Sequence, residues 1–385
     1  MKTAPWMAFL ATTVLISGCS KFRMQTDAGW NRAAWLYPGG GLLHTGFRPE
    51  GPQPPLTQRQ VLKLPAAPGE HLVALDSLLF VPVKNGRVYI YHAREKKFVG
   101  KLKYPVGVEG HVAVHPEGLL LMSLRLGHET LLCYDLKNAR YLWKRRAGLI
   151  WGAPIPADSS VYVAAKFRHA DRYDLRTGRR HWRYKMKGQA YAEPALTDAA
   201  MIFATDRGMV HAVDRRTGRA LWTAQAGKRA IRVAPVVAAR HGLVYIASLD
   251  STLYALNLDD GREIWRYRAG GSLWKGPAVK DTLVTFSDGM GNLFALHARH
   301  GTLLWQKQFS TPFGTSPLVV NQVIYLGSMD KSLYALQLTT GEIIWKAELR
   351  GRVRTNPIVF LDMIAVGSED RYVYLFAQED VSADD

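Results

Sequence analysis

The sequence predicts an all-β protein folded as an eight-bladed β-propeller, with four antiparallel strands in each blade. One observation behind this prediction is a tryptophan that recurs every 39 to 43 residues. Another is a proline that follows each of these tryptophans by 11 to 13 residues, so two independent markers share one period. The tryptophans are Trp143, Trp182, Trp222, Trp265, Trp305 and Trp345. The prolines are Pro154, Pro194, Pro235, Pro277, Pro317 and Pro357.

Composition excludes several classes of protein. The chain has 385 residues, of which 48% are hydrophobic and 21% are charged, so disorder is excluded for most of it. Only two cysteines, Cys19 and Cys133, are present, which excludes a disulfide framework and a zinc site of the Cys-x-x-Cys type. The formal net charge of +18 is gathered in no single run, which indicates a distributed basic surface.

The N-terminal residues predict secretion and lipidation. Lys2 precedes an apolar run that ends in Ile16-Ser17-Gly18-Cys19, which resembles a bacterial lipobox. A run of about 11 apolar residues is too short to span a bilayer, which takes roughly 20. We predict a lipoprotein signal peptide at residues 1–18 and a lipidated Cys19, the alternative being an ordinary signal peptide. Because Ser20 rather than Asp follows, we expect a lipid-anchored protein on the periplasmic face of the outer membrane, where it would meet no nucleic acid.

The remaining chain divides into three predicted parts. Residues 19–58 are expected to form the lipidated N-terminus and a tether, because they are rich in proline and glycine. The propeller is expected over residues 59–378, and an acidic tail follows at 379–385. Cys133 lies in an apolar run typical of a buried strand, so we predict a structural thiol.

Each repeat contains four short β-runs separated by turn residues. In the repeat that begins at Pro235, the runs are 235–238, 243–248, 252–257 and 263–268. Their alternation has period two and glycine interrupts often, which argues against the paired helices of a HEAT repeat. A glycine four residues before a tryptophan supplies the positive φ of a tight hairpin. These glycines are Gly178, Gly218, Gly261, Gly301 and Gly341.

Weaker copies of the repeat complete the ring. Residues 98–102 stand where a tryptophan-bearing strand belongs, and residues 61–65 stand one period earlier, which makes eight outer strands. The last repeat ends at Gln378 after only three strands. We expect residues 61–65 to supply its fourth strand, because closing the ring removes open sheet edges.

The unit Leu-Tyr-Ala-Leu-x-x-x-x-Gly-x-x-x-Trp, at Leu253–Trp265 and Leu333–Trp345, resembles the repeat of the pyrroloquinoline-quinone-like propeller family. Residues 35–46 are similar to the segment that precedes the first blade in that family. With the lipobox, the chain resembles the lipoproteins of the outer-membrane β-barrel assembly machinery. This resemblance implies a non-catalytic scaffold that assists barrel assembly and insertion through protein–protein contacts. The partners that it implies are β-barrel assembly proteins and unfolded barrel substrates.

We expect no catalytic site, metal site or cofactor. Quinone-dependent enzymes that resemble this repeat have long insertions and an adjacent-cysteine disulfide, whereas these blades are minimal and carry no Cys-Cys pair. No HExxH, GxSxG or phosphate-binding loop occurs. His111 and His115 would lie about 13 Å apart on one strand, so we interpret them as structural or solvated.

The predicted binding surface is one face of the ring, here called the loop face. The loop that enters each innermost strand and the hairpin between the second and third strands open on this face. Aromatic and arginine side chains, which dominate protein-binding hot spots, stand three positions before several marker prolines. In the family that the chain resembles, partner contacts fall on loops that match residues 189–193 and 228–232. The predicted partner-binding residues are Gln189, Tyr191, Arg229, Arg232, Trp151, Trp274 and Arg354.

Other interpretations stay open at this point. Any one of these side chains could instead cap a gap between blades or be solvated. The six repeating tryptophans are expected to pack between blades, and the aspartates at 206, 250, 288, 330 and 370 to stabilise turns. One rival function is binding of a quinone or saccharide in the central funnel, stacked on Trp151 and Trp274. Another is binding of an anionic envelope polymer or of lipid headgroups, with the outer strands at 144–146 and 183–185 supplying charge.

Overall fold

The computed structural model describes residues 13–14, 34–104 and 110–379. Most of the predicted signal peptide, Cys19 and residues 380–385 of the predicted acidic tail lie outside these described residues. The described chain forms eight sheets, one for each blade, which confirms the predicted all-β propeller. No helix in the described ranges is both long enough and apolar enough to cross a membrane.

The strands follow one another in a regular order. Four precede the first blade: β1 (Thr13–Val14), β2 (Ala34–Trp35), β3 (Phe47–Arg48) and β4 (Leu56–Lys63), with a 3-10 helix at Pro38–Gly40. From the axis outward, blade 1 contains β5 (Val73–Leu75), β6 (Leu78–Val83), β7 (Arg87–His92) and β8 (Lys97–Lys103), and blade 2 contains β9 (Gly110–His115), β10 (Leu119–Leu124), β11 (Leu131–Asp135) and β12 (Arg140–Arg145). Blade 3 contains β13 (Ile155–Ala157), β14 (Ser160–Ala165), β15 (His169–Asp174) and β16 (Arg180–Lys185), and blade 4 contains β17 (Ala195–Leu196), β18 (Ala200–Ala204), β19 (Met209–Asp214) and β20 (Ala220–Gln225).

The second half repeats this arrangement. Blade 5 contains β21 (Val236–Ala238), a 3-10 helix at Ala239–His241, β22 (Leu243–Ala247), β23 (Thr252–Asn257) and β24 (Glu263–Arg268), and blade 6 contains β25 (Ala278–Lys280), β26 (Leu283–Ser287), β27 (Asn292–His297) and β28 (Leu303–Gln308). Blade 7 contains β29 (Leu318–Val320), β30 (Val323–Gly327), β31 (Ser332–Gln337) and β32 (Ile343–Glu348), and blade 8 contains β33 (Ile358–Phe360), β34 (Met363–Ser368), β35 (Tyr372–Gln378) and β4.

The N-terminal strand closes the ring, as predicted. β4 pairs antiparallel with β35, with Val61 opposite Tyr374. The strand begins at Leu56, five residues earlier than the predicted 61–65 run. Blade 8 therefore combines both ends of the described propeller in one sheet, and β4 is its fourth strand.

The repeating tryptophans join neighbouring blades. Trp222 of blade 4 donates its Nε1–H to the carbonyl of Leu258 in blade 5 at 2.9 Å. A Cβ added to Gly261 would lie 2.5 Å from the same indole ring, so only glycine permits this contact. The other five tryptophans donate at 2.9–3.2 Å to the carbonyls of Leu175, Arg215, Ala298, Leu338 and Leu56. The indoles thus link consecutive blades from blade 2 to blade 8.

Burial follows from the stacking of blades face to face. All six residues of β14 are buried, because both faces of this second strand contact neighbouring blades. The outer strand β32 instead alternates exposed and half-buried residues near its end. Cys133 in β11 is a free, fully buried thiol, and burial raises its pKa to about 12. The predicted structural thiol is therefore confirmed.

Residues 34–55, here called the N-terminal segment, correct the prediction of a tether. β2 pairs with the innermost strand of blade 1, and β3 runs parallel to the innermost strand of blade 7. Between them, backbone carbonyls accept hydrogen bonds from blades 2, 4, 5 and 6 in chain order. These carbonyls belong to Leu36, Leu42, Leu43 and Thr45, and the donors are Val114, Leu196, Val237 and Val279, at 2.8–3.1 Å.

The tether prediction is thus wrong for residues 34–58, and the cause is physical. Proline and glycine exclude a long regular element, but they do not exclude packing. Buried backbone N–H groups require acceptors. The N-terminal segment supplies acceptors to the innermost strands of blades 2, 4, 5, 6 and 7, and Trp35 within it is 3% exposed.

Candidate functional site

The loops of the loop face are fixed by aspartates of the adjoining hairpins. Asp206 accepts a hydrogen bond from the backbone N–H of Gln189 at 2.8 Å. Asp250 accepts one from Lys228 at 2.9 Å, so both predicted contact loops are held at their first residue. Asp250 also accepts from Thr252 N–H within its own hairpin at 3.1 Å. The predicted turn-stabilising role is confirmed for Asp250, Asp288 and Asp330, which accept backbone N–H groups of their own hairpins, whereas Asp206 holds the neighbouring contact loop.

A central cavity of about 320 Å³ opens between these loops. Its walls come from the loops that enter the innermost strands of most blades, because those strands converge on the axis. The lining includes Trp151, Tyr191, Glu193, Arg232, Trp274, Lys275, Arg125, His111, Glu70, His71 and Asn356. Aromatic, cationic and carboxylate side chains are thus gathered within one opening.

The N-terminal segment forms the floor of this cavity. Trp35, Gly39, His44 and Gly46 all line it. His44 is buried, with Nδ1 2.7 Å from the carbonyl oxygen of Pro38 and Nε2 3.0 Å from that of Pro194. The cavity is therefore a cup that opens on the loop face.

Three cations and two aromatic rings form a compact group at the mouth, here called the cation–aromatic cluster (Arg125, Lys166, Arg232, Trp151 and Tyr191). Trp151 and Tyr191 contact edge to face, with ring centroids 5.2 Å apart. Arg125 and Lys166 lie 4.8 and 5.1 Å from the Trp151 ring, and Arg232 lies 4.5 Å from the Tyr191 ring. Among the described residues, Lys166 and Arg232 form no ion pair with a carboxylate. The cluster thus presents positive charge toward whatever approaches the loop face.

The wall of the cavity also contains titratable groups, among them the buried His111 and the exposed Glu70. The guanidinium of Arg125 lies 3.0 Å from Nε2 of His111. Burial, together with His71 and Arg125 nearby, lowers the pKa of His111 to about 4, so its Nε2 is free to accept that bond at neutral pH. Lys275 lies 3.5 Å from Glu70 and holds the pKa of that carboxyl at about 2. Lys275 is therefore neutralised within the cavity, whereas Lys166 and Arg232 at the mouth pair with no carboxylate among the described residues.

The structure brings together only part of the predicted site. Trp151, Tyr191, Arg232 and Trp274 line the cavity, and Gln189 accepts a hydrogen bond from the Tyr191 hydroxyl at 3.1 Å. Arg354 does not reach the central opening. It lines a separate cleft of about 170 Å³ and pairs with Glu369 at 3.0 Å. Arg229 is exposed and lies outside the cavity lining.

Sequence reasoning missed several residues of this site. Arg125 and Lys166 directly follow the second strands of blades 2 and 3, in the hairpins where later blades carry the repeated aspartates. This departure from the repeat was a usable signal. His71, His111 and Glu193 gave no comparable signal, because their neighbourhood is created by blades far apart in the chain. The described residues include no set of three or more His, Cys, Asp or Glu side chains placed to hold a metal ion.

Known proteins resemble this chain in both sequence and fold. It is 28% identical to outer membrane protein assembly factor BamB of Nitrosomonas eutropha over 116 residues, which are 30% of this chain and 27% of that relative. The matched part thus spans about a quarter of the relative's length. The crystal structure of BamB from Moraxella catarrhalis has a TM-score of 0.71, with 20% identity over 84% of this chain and 99% of that one.

The same propeller occurs in enzymes. Quinohemoprotein alcohol dehydrogenase from Comamonas testosteroni has a TM-score of 0.76, with 14% identity over 91% of this chain and 82% of that one. Such low identity shows a shared fold alone. A family model described as outer membrane protein assembly factor BamB matches residues 81–222, 206–312 and 289–383. These stretches span most of the propeller, and the chain accordingly belongs to the BamB family of pyrroloquinoline-quinone-like propellers.

Proposed function

We propose that this protein is a non-catalytic scaffold that assists the assembly of outer-membrane β-barrel proteins by holding a partner protein against its loop face. Family membership supports a role in outer-membrane protein assembly, since the relatives are named as assembly factors. The observation that carries the proposal for this chain is the cation–aromatic cluster. Its side chains protrude from anchored loops, so a partner would meet a preorganised surface.

The chemistry of the cluster defines the surface that it suits. Tyrosine, tryptophan and arginine are the residues that most often dominate binding energy in protein interfaces. Lys166 and Arg232 lie over aromatic rings and lack carboxylate partners among the described residues. A partner loop that carries aspartate or glutamate would supply that missing charge. We therefore expect an acidic loop of a BamA-like, barrel-forming assembly protein to dock here, with unfolded barrel substrates as further candidates.

Crosslinking in intact cells tests this proposal. Photoreactive residues at Tyr191 and Arg232 should trap the barrel-forming assembly protein, identified by mass spectrometry. A photoreactive residue at Asp259 is the matched control, because it is exposed in a turn on the opposite face. Capture of that protein from all three positions, or from none, would contradict docking on the loop face.

The location is also a proposal. We infer that a lipid on Cys19 holds the propeller at the periplasmic face of the outer membrane. A Cys19→Ser variant should move from the membrane fraction to the soluble periplasm. Retention of that variant in the outer membrane would contradict anchoring by the lipid.

A second candidate function is binding of a small ligand in the cavity. The Nε1–H of Trp151 is buried without a hydrogen-bond partner among the described residues, and Trp274 is 54% exposed at the opening. A saccharide or another small polar ligand could accept from that indole and stack on the rings. A metal-bound quinone fits poorly, because the described residues offer no group of three ligands for the ion. Native mass spectrometry and visible absorbance of the purified protein would detect either class of ligand.

A further inference from the structure

The circumference of the ring is strongly asymmetric in charge. The outer strand of blade 2 with its flanking turns spans residues 137–148, and that of blade 3 spans residues 176–187. We call these two stretches together the basic rim. Together they contain eleven lysines and arginines and no aspartate or glutamate. The equivalent stretches of blades 5 and 7, residues 259–270 and 339–350, contain five basic and five acidic residues. The outer strands of blades 2 and 3 are therefore more basic than those of blades 5 and 7.

The two halves of the basic rim form one surface. Arg145 at the end of β12 donates to the carbonyls of Gly178 and Thr177 in blade 3 at 2.8 and 2.7 Å. The outer strand of blade 2 is thereby joined to the turn that begins the outer strand of blade 3. Cations of both blades consequently lie side by side on the lateral surface.

Most of this positive charge is not neutralised within the chain. Arg183 pairs with the buried Asp171 at 2.7 Å, Lys144 lies 3.6 Å from Glu129, and Arg176 pairs with Glu117. Within the described ranges, seven other exposed cations of the outer strands and their ends form no ion pair with a carboxylate. These cations are Arg140, Arg145, Arg146, Arg179, Arg180, Lys185 and Lys187. Such charges on one surface repel one another, so an anionic surface opposite them would be attracted.

Two exposed apolar side chains border the basic rim. Phe167 is 62% exposed and Leu126 is 55% exposed, and each is at the tip of the second hairpin of its blade. The Phe167 ring is close to Gly148, at the end of the rim in blade 2, since a Cβ there would lie 3.2 Å from it. Basic residues beside protruding apolar ones are the combination that binds the interface of an anionic bilayer. An acidic polymer in water would offer the apolar side chains no equivalent environment.

The N-terminal segment begins near the axis of the ring, beside the innermost strands of blades 1 and 2. β2 pairs with blade 1, and the carbonyl of the next residue, Leu36, accepts from Val114 of blade 2. Cys19 and Ala34 are fifteen positions apart, and a chain of that length reaches at most about 50 Å. If Cys19 carries the lipid, as proposed above, blades 2 and 3 can therefore reach the bilayer.

We propose that the basic rim, with Phe167 and Leu126, docks the propeller sideways on the surface of an anionic phospholipid bilayer. The rim supplies the electrostatic attraction to lipid phosphates, and the two apolar side chains insert among the headgroups. This contact would place the blade 2 and blade 3 edge of the loop face, with Leu126 and Phe167, at the membrane, while Tyr191, Arg232 and Trp274 remain available to a protein partner.

Binding to vesicles tests the proposal with the Cys19→Ser chain, so that no acyl group contributes. The unaltered surface should bind phosphatidylcholine vesicles that contain phosphatidylglycerol and should not bind pure phosphatidylcholine vesicles. Arg146→Gln/Arg179→Gln/Arg180→Gln should weaken binding more than about tenfold, because each cation near an anionic surface contributes roughly a fivefold factor. The matched control Arg262→Gln/Arg266→Gln/Arg268→Gln makes the same change in net charge on blade 5 and should weaken binding less than about threefold.

A second pair of variants separates a bilayer from other anionic partners. Leu126→Ser/Phe167→Ser should also weaken vesicle binding, whereas Ile264→Ser/Ile344→Ser, which alters two exposed residues on blades 5 and 7, should not. Unchanged melting temperatures would establish that each variant is folded. Equal losses in the rim variant and its control, no preference for phosphatidylglycerol, or a loss caused by the charge variant alone would overturn docking on a bilayer. Crosslinking from the loop face is independent of these outcomes.

Discussion

At the scale of single residues, Gly261 joins two blades through its lack of a side chain. Its φ is 73°, in the left-handed region, and the ring of Trp222 lies against its Cα. Trp222 is also hydrogen-bonded to Leu258 in the same turn of blade 5. Glycine thus satisfies a backbone requirement and a packing requirement at one position, and four other repeats use the same pair of residues.

Gly261→Ala should lower the free energy of unfolding by at least about 2 kcal/mol, because alanine meets both the strained φ and the indole ring. Urea unfolding measures the loss. Gly270→Ala in the same blade is the control, since a Cβ there makes ordinary contacts of 3.5 Å or more, and its effect should stay within about 0.5 kcal/mol. Equal stability of the two variants would contradict the proposed contact between blades.

His211 predicts a dependence of stability on pH. It is buried against Phe203, with ring centroids 5.3 Å apart, and burial lowers its pKa to about 4. In the unfolded chain its pKa is about 6.5, so the unfolded state binds more protons between these values. The stabilisation from neutral His211 is complete above pH about 6.5 and is lost as the pH falls toward 4.

The free energy of unfolding should therefore fall less steeply between pH about 6.5 and about 4 in the His211→Gln variant. The difference in slope should correspond to the uptake of up to one proton on unfolding. Urea unfolding at several pH values measures this slope. The exposed His300→Gln variant should retain the parent's slope. If the His211→Gln variant had the same slope as the parent, the burial of a neutral imidazole would be contradicted.

At the scale of elements, β4 is an integral strand of blade 8. Leu62 is fully buried in the cluster that also contains Tyr374 and Phe376, and the indole of Trp345 donates to the Leu56 carbonyl. Leu62→Ala should cost about 2–5 kcal/mol of unfolding free energy, whereas the exposed neighbouring variant Lys63→Ala should cost less than about 0.5 kcal/mol. Similar unfolding curves for both variants would mean that the ring is not closed by this strand.

The N-terminal segment illustrates an element that sequence patterns could not predict. Its conformation depends on a short strand pairing and on single hydrogen bonds to strands that lie from about 40 to 270 residues away, such as Ala34 paired with Leu75 and the Gly46 carbonyl that accepts from Val319. Contacts with such distant strands produce no periodic pattern in the local sequence. β4 was predictable because the last repeat lacked one strand and residues 61–65 carried the missing β-run.

At the scale of the whole molecule, the ring is predictable because each blade carries its own markers. Tryptophan, proline and the turn glycine recur locally, so the number of blades and the closure follow from one period. The cavity is different, because His71, His111 and Glu193 meet only after the ring has closed. Their position before the marker prolines assigns four lining residues to the cavity, namely Trp151, Tyr191, Arg232 and Trp274. Arg354 has the same position in its repeat but pairs with Glu369 outside the cavity.

The most direct test of the central claim is the affinity of the purified protein for the assembly partner trapped by crosslinking. Lys166→Gln/Arg232→Gln removes two cations of the cation–aromatic cluster, and Arg240→Gln/Arg299→Gln removes two exposed cations from the opposite face. The account predicts that the first variant binds at least about tenfold more weakly and the second binds like the parent, with both melting temperatures unchanged. Equal affinities for both variants would contradict docking through the loop face.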